Sequence, residues 1–250
     1  PDYADSMFNF NLSVKIYRSI VITEWYDSNK KEEIYETYRS GYYDTIEQKG
    51  SRVEIERMDM FSPPDNWNKY IIAKSCVISL PPTVELRNKD DEYTKQLKNI
   101  RWNGYKINDK NVVFQQKGLS ANLKSAYNTY CRVIVNIQKG NPGDFLHKNE
   151  FEKLNLDDIH DFQDLAKQNS SGYEIIGNPT VRWIRIEDIY GIETKYVRKG
   201  ENNLHTCVSC YYFFDNDEMI NIILSYRKED SKMWAEDFSN IVKTFKWNNK

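Results

Sequence analysis

A chain of 250 residues with 40% hydrophobic and 29% charged side chains can bury enough apolar surface to fold without staples, as one large domain or two small ones. Its 35 basic and 37 acidic side chains are interleaved and leave a net charge of -2, which argues against a nucleic-acid binder, a class that needs a basic excess. No run approaches the roughly 20 apolar residues of a membrane span, so a soluble protein without a membrane-crossing segment is expected.

In chain order, Leu12, Val14, Ile16, Ile20 and Ile22 fall at even spacing, the period of one face of a strand. Ser28 or Asn29 then caps an expected helix in which Ile34, Tyr38, Tyr42 and Ile46 step by four, with Gly50 past its end. Residues 52–58 alternate Val53 and Ile55 with charged neighbours and predict a short strand. Together these pieces make a β-α-β extension or small subdomain over residues 1–66. It closes at Phe61-Ser62-Pro63-Pro64-Asp65-Asn66, where paired prolines and turn formers continue neither helix nor strand.

Residues 67–250 form the expected main domain. Residues 70–80 read as one strand halted at Pro81-Pro82, and 112–116 as a hairpin element. Over 127–137, Tyr127, Thr129, Cys131, Val133, Val135 and Ile137 alternate with Asn128, Tyr130, Arg132 and Asn136, a strand with one core face and one wetter face. Gly140-Asn141-Pro142-Gly143 breaks the chain, and a helix from Asn155 or Asp157 presents Ile159, Phe162, Leu165 and Ala166 as its apolar stripe. Four strands in series are predicted at 180–186, 192–198, 204–214 and 219–227, and their short polar links imply antiparallel pairing. A last helix, capped near Asp230 or Ser231, carries Trp234, Phe238, Ile241, Val242 and Phe245 on one wide stripe that must lie on the sheet. This order predicts an α+β fold, an antiparallel β-sheet flanked by helices.

Several segments resemble a known family. They are ISLPPTVEL (78–86), YCRVIVNI, the helix before GYEIIG, IYGIETKYVRKG (189–200), and the ending INIILSYRKED with MWAEDFSNIVKTFKW. They look like the PsbP-like fold, shared by the extrinsic oxygen-evolving protein of photosystem II, a Ran-binding nuclear import factor and many bacterial envelope proteins. The resemblance starts at residue 75 and leaves residues 1–66 outside it. It implies an α/β/α sandwich in a bacterial protein that binds or assists another protein without doing chemistry, in the cell envelope or periplasm sooner than the cytoplasm. No functional residue is carried over, because the segments match at structural positions only.

His205, Cys207 and Cys210 group an imidazole and two thiols, as zinc and redox sites do. On a strand, side chains three apart face opposite ways, so the two thiols are expected to diverge and to serve as small hydrophobes. With Cys76 and Cys131 the chain allows three disulfide pairings; a Cys131 to Cys207 bridge between neighbouring strands is conceivable, against four reduced thiols. The only histidines are His147, His160 and His205, and Ser209 would lie about 13 Å from His205 along a strand, too far for a hydrogen bond. Asp157-Asp158 and Asp215 with Asp217 read as capping and turn residues, with a glycosidase or calcium site as the other reading.

No catalytic residue, cofactor or metal ligand is therefore assigned. A hydrolase or metal-dependent enzyme using acidic residues and His205 stands as one alternative to a binding protein, and an immunity or inhibitor protein as another. The candidate interaction surface is Tyr38, Tyr42, Tyr43, Tyr211 and Tyr212. Rings on adjacent strand positions face both sides of a sheet, and any left uncovered form an amphipathic platform for protein contact.

Overall fold

A computed structural model describes the backbone at residues 20–22, 36–40 and 43–48, and residues 51–87, 105–170, 172–199 and 204–248, with side chains from Ile55 onward. Three strands, β1 (Ile20–Ile22), β2 (Glu36–Ser40) and β3 (Tyr43–Gln48), lead into β4 (Ser51–Met58). Next come β5 (Asn68–Ile72), β6 (Cys76–Leu80), β7 (Val84–Leu86), β8 (Tyr105–Ile107), β9 (Asn111–Gln116) and β10 (Cys131–Lys139). Helix α1 (Leu156–Asn169) precedes the long strands β11 (Ile175–Ile186), β12 (Ile189–Lys199), β13 (His205–Asp215) and β14 (Glu218–Arg227). Helix α2 (Ser231–Val242) and the short β15 (Lys246–Trp247) follow.

Eleven of these strands form one sheet in the order β1-β2-β3-β4-β11-β12-β13-β14-β10-β9-β7, and four form a second, β15-β6-β5-β8. Among the described strands all pairings are antiparallel except β4 with β11 and β5 with β8. The expected series β11 to β14 pairs in sequence order. The fold is α+β, with sheets and helices in layers.

Three expectations need correction. Residues 36–40 and 43–48, assigned to the helix of a β-α-β extension by the spacing of Ile34, Tyr38, Tyr42 and Ile46, are paired strands. A step of four is also a multiple of two, so it cannot tell a helix stripe from one face of a strand, and Thr37, Tyr38, Tyr43, Thr45 and Ile46 prefer strands. The proposed caps at Ser28 and Asn29, and the first strand before Ile20, lie outside the described residues. Residues 70–80 are likewise a hairpin instead of one strand. The Ser75 N–H donates to the Ile72 carbonyl at 2.8 Å, and Ala73 and Lys74 turn the chain at positive φ (47° and 59°). Neither is the Gly or Asn that such a turn normally uses, so the sequence hides it. Tyr127 also departs from expectation: it sits in a 3-10 turn, 57% exposed, and the clean alternation begins at Cys131.

The large sheet buries both faces. One carries Cys131, Val133 and Val135 of β10, Tyr211 and Phe213 of β13, and Ile220, Ile222 and Leu224 of β14, covered by the second sheet and α2. The other carries Trp183, Ile192, Val208, Cys210 and Tyr212, covered by α1 and residues 140–155. Helix α2 buries Trp234, Phe238, Ile241 and Val242, the expected stripe, and Phe245 beyond it stacks on Phe213 with ring centroids 4.0 Å apart. Gly191 makes room for that stack, since a Cβ there would stand 2.7 Å from the Phe213 ring and 2.9 Å from the Tyr212 carbonyl oxygen.

Asp230 precedes α2 as expected, but its carboxylate accepts from Thr129 Oγ1 (2.8 Å) and the Tyr130 N–H (3.1 Å) instead of capping its own helix. Trp234 Nε1 donates to the same Thr129 oxygen at 2.7 Å. The start of the helix is thus tied to the start of β10. Trp234→Ala removes both the packing and this bond, and should cost about 3–5 kcal/mol of stability, measured by urea unfolding; a parental midpoint would refute this role for Trp234.

Candidate binding clefts

Helix α1 starts with a capping box: the Asp158 N–H donates to Asn155 Oδ1 at 2.9 Å, and the Asn155 N–H to Asp158 Oδ2 at 2.8 Å. Its apolar stripe fits the sheet poorly. Only Ala166 is buried; Ile159 and Phe162 are half-buried, and Leu165 is 38% exposed. The segment before the helix is pinned elsewhere. The Phe145 N–H donates to the Asn216 carbonyl (3.0 Å), the Asn216 N–H to the Leu146 carbonyl (3.0 Å), and the Tyr190 N–H to the Lys148 carbonyl (2.7 Å). Trp183 Nε1 donates to the Glu152 carbonyl at 2.7 Å.

Loop and helix are consequently held apart over the sheet, leaving a cleft of about 230 Å³. Phe145, Leu146, Leu154, Phe162, Trp183 and Phe214 give it apolar walls, and Asp144, Glu152, Lys153 and Asp158 its polar rim. Sequence reading missed Phe145, Leu146 and Leu154, because they lie in a loop without period. The density of apolar residues in FLHKNEFEKL was the available signal.

A second cleft, about 300 Å³, opens on the α2 side between the end of β4, strands β12 to β14 and α2. Lys195, Ser209, Tyr211, Phe238 and Lys243 are among its walls. Beside it runs a row of alternating charge across the sheet. Arg182 pairs with Glu56 and, at 2.6 Å, with Glu193, whose other oxygen lies 2.7 Å from Lys195 Nζ. Glu193 is 1% exposed. Burial, with that carboxylate beside it, holds the Tyr211 hydroxyl well above the ordinary tyrosine range. A glutamate so deeply buried is tolerable because both oxygens meet a cation. Glu193 was not singled out from sequence, because it lies in the mixed segment IETKY, where a charged side chain gives no sign of burial.

The predicted site residues are dispersed. Tyr211 and Tyr212 are 2% and 1% exposed and enter opposite cores, so neither belongs to a surface platform. Tyr38 and Tyr43 lie on β2 and β3, with side chains outside the described residues, as is Tyr42 altogether. Cys210 faces α1, close to Tyr212, Tyr196 and Asn169, whereas half-buried Cys207 faces the other way, near Lys228 and Glu229. Cys131 and Cys207 both pair with Tyr226, so β14 separates them. Two strand spacings are about 10 Å, too wide for a disulfide; the conceivable Cys131 to Cys207 bridge is therefore corrected, and all four thiols are free.

His205 opens β13 and Asp215 ends it, about 33 Å away at strand rise. The imidazole near Asp215 is that of His147, with Nδ1 at 3.7 Å. Asp157 and Asp158 begin α1. Among the described residues no group of three or more His, Cys, Asp or Glu is placed to hold a metal ion, and no helix is long and apolar enough to cross a membrane.

No protein-family model matches the chain, and no curated protein matches it by sequence. Among solved structures, the solution structure of cyanobacterial PsbP (CyanoP) from Synechocystis sp. PCC 6803 is similar to this chain. The TM-score is 0.44 and the identity 12%, over 74% of this chain and 94% of that one. The similarity is one of fold alone.

Burial pushes the thiols of Cys76, Cys131 and Cys210 up to about 12. Up to the ordinary thiol value near 9, folded and unfolded chains both keep these protons and the contribution is constant. As pH rises from about 9 towards 12 the unfolded chain releases them while the fold retains them, so stability should fall over that window. In the native protein at pH 8, iodoacetamide should label Cys207 alone, with the other three reacting only on denaturation. Mass mapping that finds Cys210 alkylated in the native state would contradict this.

Proposed function

We propose that this is a binding or accessory protein whose partner is another protein, seated in the cleft between α1 and residues 140–155. The observation that carries the reading is the incomplete closure of that face. The helix over it buries one residue, Ala166, while backbone hydrogen bonds fix the neighbouring loop away from it. Apolar walls open to water are unfavourable by about 25 cal/mol per Å², and a fixed cleft loses little freedom when filled. Apolar walls with a few rim charges are the usual anatomy of a recognition site. The charged row beside the cleft on the opposite face suits a structural tie, since both Glu193 oxygens are engaged.

A photo-cross-linking residue introduced in place of Lys153, at the lip, should capture one protein in cells, and the same residue at Asp109 should not. Excess unlabelled parent should compete this adduct away, whereas Phe162→Ala should compete at least tenfold less well, by analogy with an anchor-pocket loss of about 1.4 kcal/mol or more. Equal capture at both positions, or equal competition by the variant, would overturn the reading.

A further inference from the structure

The charge around the α1 cleft selects the chemistry of its occupant, an inference that rests on the cleft being a docking site. Residues 141–162, which supply the loop and the first half of α1, carry six carboxylates against two lysines, in a chain whose net charge is only -2. Three of them, Asp144, Glu152 and Asp158, line the cleft with a single lysine, Lys153. Asp144 accepts from the Asn141 N–H at 2.6 Å and Asp158 from the Asn155 N–H at 2.8 Å. Those donors are neutral, so they fix the carboxylates in place without cancelling their charge.

We propose that the occupant is a basic peptide segment of a partner protein, placing one bulky apolar side chain between Phe145, Phe162 and Trp183 and its flanking lysines or arginines on the acidic rim. The cleft's volume of about 230 Å³ suits a single large side chain and not a folded surface. An apolar anchor supplies affinity, and the rim supplies orientation and steering of the encounter. The same rim repels nucleic acid and anionic lipid, whose charge has the wrong sign.

The test is to pan a random dodecamer display library against the full chain at low salt. The expected result is enrichment of peptides with one aromatic or branched aliphatic residue flanked by Lys or Arg. Their affinity should fall with added salt, fall about tenfold in Glu152→Lys, where a rim charge is reversed, and be lost in Phe162→Ala. Glu152 is exposed and only its backbone carbonyl bonds Trp183, so the charge-reversed variant should melt like the parent. Peptides with neutral or acidic flanks that still lose binding in Phe162→Ala would overturn the basic-partner inference and leave the docking site standing. Enriched peptides indifferent to Phe162→Ala, or no enrichment at all, would overturn both.

Discussion

The architecture depends on the burial of β13 from both sides. Val208, Cys210 and Tyr212 enter one core, Tyr211 and Phe213 the other, so from Cys210 to Phe213 this strand has no face to give to water. A strand of that kind is stable only if something apolar covers each side, and the two covers are built differently. On one side a second sheet and α2 interlock through Phe213, Phe245 and Trp247. On the other, a smaller apolar core is covered by a helix that buries a single alanine and by a loop that has its own anchors.

The difference explains why the two clefts differ in kind. Beside α2 the gap adjoins a row of ions already paired across β4, β11 and β12, and closing a buried charge on its counter-charges leaves little to offer a ligand. Beside α1 the walls are aromatic and aliphatic, held open by hydrogen bonds that belong to the backbone. Such bonds stay in place whether or not the cleft is filled, so the site is ready before any partner arrives.

Much of the stretch from Cys131 to Val242 was legible because its period was unambiguous. The run from Cys131 to Ile137 alternates strictly, the α2 stripe repeats at three and four, and the polar turn between β13 and β14 stands out. The errors have physical causes. Stepping by four at Tyr38, Tyr42 and Ile46 fits two periods at once, and the Ala73-Lys74 turn uses residues with no turn preference. The tyrosine platform failed at 211 and 212 because a strand buried on both faces leaves no outer rings, which a single-strand reading cannot reveal. The α1 cleft was invisible for another reason. It arises from a mismatch between a helix and a distant loop, each of which looks ordinary alone.

Closure of the larger core has a consequence for how the chain must be made. The Ser79 N–H donates to Thr244 Oγ1 at 2.8 Å, the Asn248 N–H to the Ser75 carbonyl at 2.9 Å, and β15 pairs with β6. These ties join segments about 170 residues apart. During synthesis, Cys76, Ile78 and Leu80 therefore wait without their lid until residues 244–248 have left the ribosome. A nascent chain halted before that point displays sticky strands, the kind of surface on which chaperones act.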